Sequence, residues 1–193
     1  GGLTVVAEVK FTGSPGSNER IIDFGNALDR YDDSIVLTRW WSSSRLYGAI
    51  TEKAVEVCQI WSPDGIIVQD EWMTVMLEYD SSSETMALRK DGEVIAGPVA
   101  CIGSPSNRVV TISYIGRSCF QEDDYFQGEM RDVFVVDSVR REVYKEGASD
   151  AVSGIQEQSS AWSTLSGVAY HPESIVGLEA AFAVDGRSDT CSR

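Results

Sequence analysis

The chain has few of the residues that metal binding and nucleophilic catalysis rely on. It carries a single histidine, His171, and four cysteines, Cys58, Cys101, Cys119 and Cys191, among 193 residues. No pair of cysteines shows C-x-x-C spacing, and with one imidazole a zinc site of the usual kind is not expected. Cationic residues are scarce too: 16 Lys and Arg stand against 30 Asp and Glu, for a formal net charge of −14. So acidic a chain offers no basic face to phosphates, which argues against nucleic acid and against an anionic membrane surface. Calcium, cationic partners and plain solubility remain compatible with it. Long apolar runs are missing as well. None approaches the ~20 residues of a membrane helix, so no membrane insertion is expected. There is no P-loop, G-x-G-x-x-G or G-x-S-x-G, and His171 has no nucleophile near it in sequence. Glucan hydrolysis from one strand needs carboxylates on the same face, written E-x-D-x-x-E. Glu78-Tyr79-Asp80 supplies two acids and no third, and reads as a strand end turning into solvent. The chain is therefore expected not to be an enzyme.

What is present is short, alternating and punctuated by turns. Val5, Ala7, Val9 and Phe11 fall on one face of the stretch from Leu3 to Phe11. Ile21, Ile22 and Phe24 mark a second strand, closed by Gly25-Asn26. Ser34 to Arg39, Leu46 to Ile50 and Ala54 to Trp61 follow, and Ser62-Pro-Asp-Gly65 is a turn. Trp72 to Tyr79 alternates with Val75, Leu77 and Tyr79 on one face. Thr85 to Lys90 returns, and Asp91-Gly92 turns into Glu93 to Ala96. Val109 to Ile115 and the mostly apolar Met130 to Val136 complete the set, the last expected to be central. With no long helical pattern, the expected class is an all-β antiparallel sandwich. From Gly147 to Gly154 the chain is small and polar, a linker by composition. Residues 155–193 are too few to bury a core alone and read as the start of a second β module. Both ends read as cut from something longer.

The cysteines fit disulfides in an oxidising compartment better than metal ligation. Four cysteines allow three connectivities, and the expected bond is Cys101 with Cys119, closing a hairpin-sized loop.

Three stretches carry a family resemblance. They are Arg20-Ile-Ile-Asp-Phe-Gly-Asn26 with Asp33-Ser-Ile-Val-Leu37; Trp72 through Ala96; and Tyr114-Ile-Gly-Arg-Ser118 with Asp124-Tyr-Phe-Gln-Gly128 and Met130-Arg-Asp-Val-Phe134. In this order they make residues 1–146 similar to the laminin-G-like domains of the concanavalin A-like lectin and glucanase superfamily. The resemblance implies a jelly-roll β-sandwich. The tail, through Ala183-Val-Asp-Gly186 and Asp189-Thr-Cys-Ser192, resembles the opening of a fucolectin or discoidin (coagulation factor 5/8 type C) domain. That second resemblance implies a structural calcium at Asp185.

The resemblance implies recognition outside the cell, at the cell surface or as a secreted protein. The partner would be a glycan or a neighbouring extracellular protein. A structural subunit of a filament, appendage or cell-wall assembly that contacts its own copies stays open. So does a carbohydrate-binding module of a larger secreted enzyme. Aromatic rings are the natural sugar platform, and Trp40 and Trp41, with Tyr47 nearby, are the candidate binding residues. Adjacent strand residues face opposite ways, so at most one of the two indoles is core. Trp61 reads as packing at a strand end and Trp72 as core. Calcium is the one cofactor suggested, with Asp32 and Asp33 as candidate ligands in a rim loop beside Asp29. A second acidic run is Glu122-Asp123-Asp124. A solvated acidic loop is the competing reading of both runs.

Overall fold

A computed structural model describes residues 1–26, 29, 32–103 and 111–136, with the backbone of 163–165 and 168–170. The linker 147–154 and the rest of the segment 155–193, with Trp162, His171, Asp185 and Cys191, lie outside the described residues. No helix occurs among the described residues, and none is long and apolar enough to cross a membrane.

Among the described residues, ten strands build two antiparallel sheets. They are β1 (Gly2–Phe11), β2 (Arg20–Gly25), β3 (Ile35–Arg39), β4 (Leu46–Glu52), β5 (Val55–Trp61), β6 (Trp72–Asp80), β7 (Thr85–Lys90), β8 (Glu93–Ala100), β9 (Ile112–Ile115) and β10 (Gly128–Val136). One sheet runs β10-β1-β6-β7-β8 and the other β5-β4-β3-β2-β9. A short hairpin, β11 (Ser163–Leu165) and β12 (Val168–Tyr170), extends the first sheet beyond β10. The expected sandwich is present, and β10 is an interior strand as its apolar sequence predicts.

Alternation decides what enters the core. Val5, Ala7, Val9 and Phe11 of β1 are fully buried, as are Val75, Leu77 and Tyr79 of β6. Opposite them stand Ile22, Phe24, Leu37, Leu46, Ile50 and Ile60 from the second sheet. The sheets approach closely at Gly48, where a β-carbon would fall 2.6 Å from Leu77 Cδ1. Glycine is used there to let one sheet approach a leucine of the other.

The same period corrects two sequence readings. Met73 and Val75 point inward, so Trp72 points outward. Its ring is half-buried on the sheet's outer face, with the Lys10 ammonium 5.2 Å and the Arg131 guanidinium 4.2 Å from its centre. Glu78, expected to turn into solvent, is buried on that face and paired with Arg89 at 2.7 Å.

The disulfide also differs from expectation. Cys58 on β5 bonds Cys101 just past β8, with the two Cα atoms 4.7 Å apart, and Cys119 is free and buried. Strand order supplies the reason. Cys101 lies beside β5, whereas Cys119 follows β9 at the opposite edge of that sheet. Four strand spacings, about 19 Å, separate those edges, far beyond the reach of a disulfide. Loop length in sequence is blind to that order. The actual bond joins β5 and β8, the edge strands of the two sheets, and clamps that side of the sandwich.

Candidate functional site

Four loops gather at one end of the sandwich: β1–β2, β3–β4, β5–β6 and β9–β10. Backbone hydrogen bonds stitch them together, with Asn18 N donating to Trp41 O, Ile67 N to Ser44 O, Thr12 N to Gln127 O and Asp124 N to Ser17 O. Beneath them lies one buried guanidinium. Arg39 Nη1 donates to Ser43 O at 2.9 Å and Nη2 to Gln69 Oε1 at 3.0 Å. Its Nε sits 2.5 Å from the buried Glu19 carboxylate, and Glu19 in turn accepts from Gln127 N. Its charged face stacks 4.5 Å over Phe11. Thus Arg39 and Glu19 together tie all four loops to the core.

This end carries an aromatic cluster. β3 stops at Arg39 and the chain turns at once, with Trp41 in the left-handed region at φ 49°. The two indoles therefore do not face opposite ways as strand neighbours would. Trp40 and Trp41 meet edge to face at 6.3 Å, and Trp40 meets Trp61 the same way at 5.7 Å. The β4–β5 register sets Tyr47 opposite Trp61, with ring centres 5.1 Å apart, and Trp40 lies 4.8 Å from Tyr47. Trp41 is 58% and Trp61 38% exposed, Trp40 is half-buried, and Tyr47 is only 5% exposed. Tyr47 donates its hydroxyl to Glu56 and acts as the floor under the Trp40 and Trp61 indoles. The polar rim includes Ser44, whose hydroxyl donates to Asp64 at 2.5 Å and holds that carboxyl below the usual range.

Of the three predicted binding residues, the structure thus brings Trp40, Trp41 and Tyr47 into one cluster. Trp61 was missed as a member. Its signal was the hairpin register, which pairs 47 with 61 across the Lys53–Ala54 turn. Arg39 and Glu19 carried no sequence signal, since nothing local shows that two charges will be buried together.

A second polar group sits on the outer face of the β2 side. Arg20 donates to Asp23 at 3.2 Å, to Thr38 Oγ1 at 3.1 Å and to Asp123 at 2.7 Å. Asp23 also accepts from Cys119 N at 3.1 Å. Burial pushes its carboxyl up, with Arg20 opposing. Burial, aided by Asp23, pushes the Cys119 thiol far above the usual cysteine range. Next to this network opens a cleft of about 510 Å³ lined by Asn18, Asp29, Phe120, Gln121, Glu122 and Asp123.

The candidate calcium ligands Asp32 and Asp33 lie in the loop between β2 and β3. Asp33 accepts from Lys53 N through one oxygen and from Asn26 Nδ2 through the other, and the Asp32 carbonyl accepts from Asn26 N. Asp124 accepts from Ser17 N, and Asp123 is held by Arg20, Asn18 and Ser118. Among the described residues no three or more His, Cys, Asp or Glu gather around a point that would hold a metal. Asp33 and Asp124 thus hold loop backbone N–H groups, and Asp123 pairs with Arg20.

Neither family models nor curated proteins match the chain. Solved structures do. The CBM40 module of a Ruminococcus gnavus IT-sialidase aligns at 16% identity and TM-score 0.56, over 79% of this chain and 82% of that one. The same module bound to α2,3 sialyllactose aligns at 18% identity and TM-score 0.53, over 67% and 71%. Domains LG4-5 of mouse laminin α1 align at 14% identity and TM-score 0.51, over 69% of this chain and 34% of that one. At such identities the likeness shows the fold, a jelly-roll β-sandwich.

Proposed function

We propose that the chain is an extracellular, non-catalytic glycan-binding module that stacks sugar rings on the indoles of Trp41 and Trp61. The observation that carries this is the exposure of two indoles at a loop-rich end, each braced edge-on by Trp40, with Trp40 and Trp61 seated on Tyr47. Exposed tryptophans held rigid by other rings cost little entropy to use and offer flat apolar faces for the C–H side of a pyranose. The likeness to a carbohydrate-binding module of a sialidase supports the reading and favours a role as one module of a larger secreted protein. The disulfide fits an oxidising compartment.

Calorimetry of the full chain against an oligosaccharide selected on a glycan array tests this. Trp41→Ala and Trp61→Ala are each expected to weaken binding about tenfold, the loss of one ring stack. The thermal midpoint of Trp41→Ala should stay near that of the parent, since that ring is mostly in solvent. An array with no retained glycan, or a Trp41→Ala variant that binds like the parent, overturns the proposal.

A further inference from the structure

The cleft beside the aromatic cluster is built from sugar-binding chemistry and has a definite charge. Asn18 joins the two features: its Oδ1 accepts from Trp41 N at 3.0 Å, while its Nδ2 donates to Asp123 Oδ1 at 2.9 Å. The volume of about 510 Å³ falls within the range that holds small ligands. Its wall combines amide groups (Asn18, Gln121), one phenyl face (Phe120) and carboxylates, a set that exchanges hydrogen bonds with sugar hydroxyls. Arg20 neutralises Asp123 from below at 2.7 Å. Asp29 and Glu122 are both exposed, and among the described residues no Lys or Arg lines the cleft. The described lining is therefore net acidic.

From this we infer that the cleft is the polar subsite of the same glycan site and selects pyranose units without negative charge, amino sugars above all. The inference rests on the glycan-binding reading above. It sets this chain apart from the sialidase module of the same fold that holds sialyllactose. A sugar carboxylate placed within about 6 Å of two carboxylates is disfavoured by about tenfold even at the dielectric of water. A protonated amine there is favoured by a similar factor.

The full chain would be titrated at low salt with lactose, 3′-sialyllactose, an N-acetylglucosamine oligomer and its de-acetylated glucosamine counterpart. Sialyllactose is expected to bind about tenfold more weakly than lactose, and the glucosamine oligomer about tenfold more tightly than the acetylated one. Both ratios should shrink as salt is added. The Asp29→Asn, Glu122→Gln double variant should bring both close to one. It is expected to fold, because both residues are exposed and the substituted amide keeps an oxygen for the Gln121 N–H bond that Asp29 now accepts. The salt series on the parent chain tests the same point without any variant. Sialyllactose binding tighter than lactose, or ratios that ignore both salt and the double variant, overturns the inference. If lactose binding depends on Trp41 while sugar charge has no effect, the cleft assignment alone falls. If none of these probes binds, the cleft assignment falls, and the glycan array decides the glycan reading separately.

Discussion

Removing the Cys58–Cys101 disulfide by Cys58→Ala with Cys101→Ala should cost about 4 kcal/mol. The bond spans 43 residues of sequence. Closing a loop of that length removes about 13 cal/mol/K of chain entropy from the unfolded state, or about 4 kcal/mol at 25 °C. The native side changes little. The backbone bond from Ile102 N to Val57 O at 2.8 Å spans the same edge and remains after truncation. The cost is large beside the ~5–15 kcal/mol that holds a typical domain, so the variant should fold with a much lower urea midpoint. The assay is equilibrium unfolding in urea followed by tryptophan fluorescence. It would be run on the oxidised parent, the parent under a phosphine reductant, and the double variant. The reduced parent and the double variant should coincide. Non-reducing peptide mapping of the parent should recover Cys58 and Cys101 in one linked pair. A loss under about 1 kcal/mol, or a linked Cys101–Cys119 peptide, would refute the strand-order argument.

Further outcomes follow from the buried polar groups. Glu19→Gln should destabilise by about 3–5 kcal/mol, because it keeps an acceptor for Gln127 N but leaves the Arg39 guanidinium buried and uncompensated. Combined with Arg39→Met, the loss in urea unfolding should be well below the sum of the two single losses, and simple additivity would contradict the ion-pair account. The Cys119 thiol, buried and pushed upward in pKa, stays protonated at mildly alkaline pH, so iodoacetamide should modify its peptide only in denaturant. Rapid labelling of that peptide in the folded protein would show the thiol to be accessible.

The sequence alone determined the strands and their inward faces. Period-two alternation at Val5 to Phe11 and at Val75 to Tyr79 reads correctly because a one-residue slip would expose the whole apolar set. It also carried the jelly-roll resemblance and singled out Trp40, Trp41 and Tyr47 as candidate binding residues. Tertiary structure decided everything that depends on which strands become neighbours. Cys58 meets Cys101 because β5 and β8 are edges on the same side. Trp61 joins the aromatic cluster because the β4–β5 register sets it against Tyr47. Arg39 and Glu19 are buried together because four loops close over them. Local pattern reports the face on which a side chain stands. Strand pairing and loop closure decide what it finally touches, as this chain's disulfide, aromatic cluster and buried ion pair show.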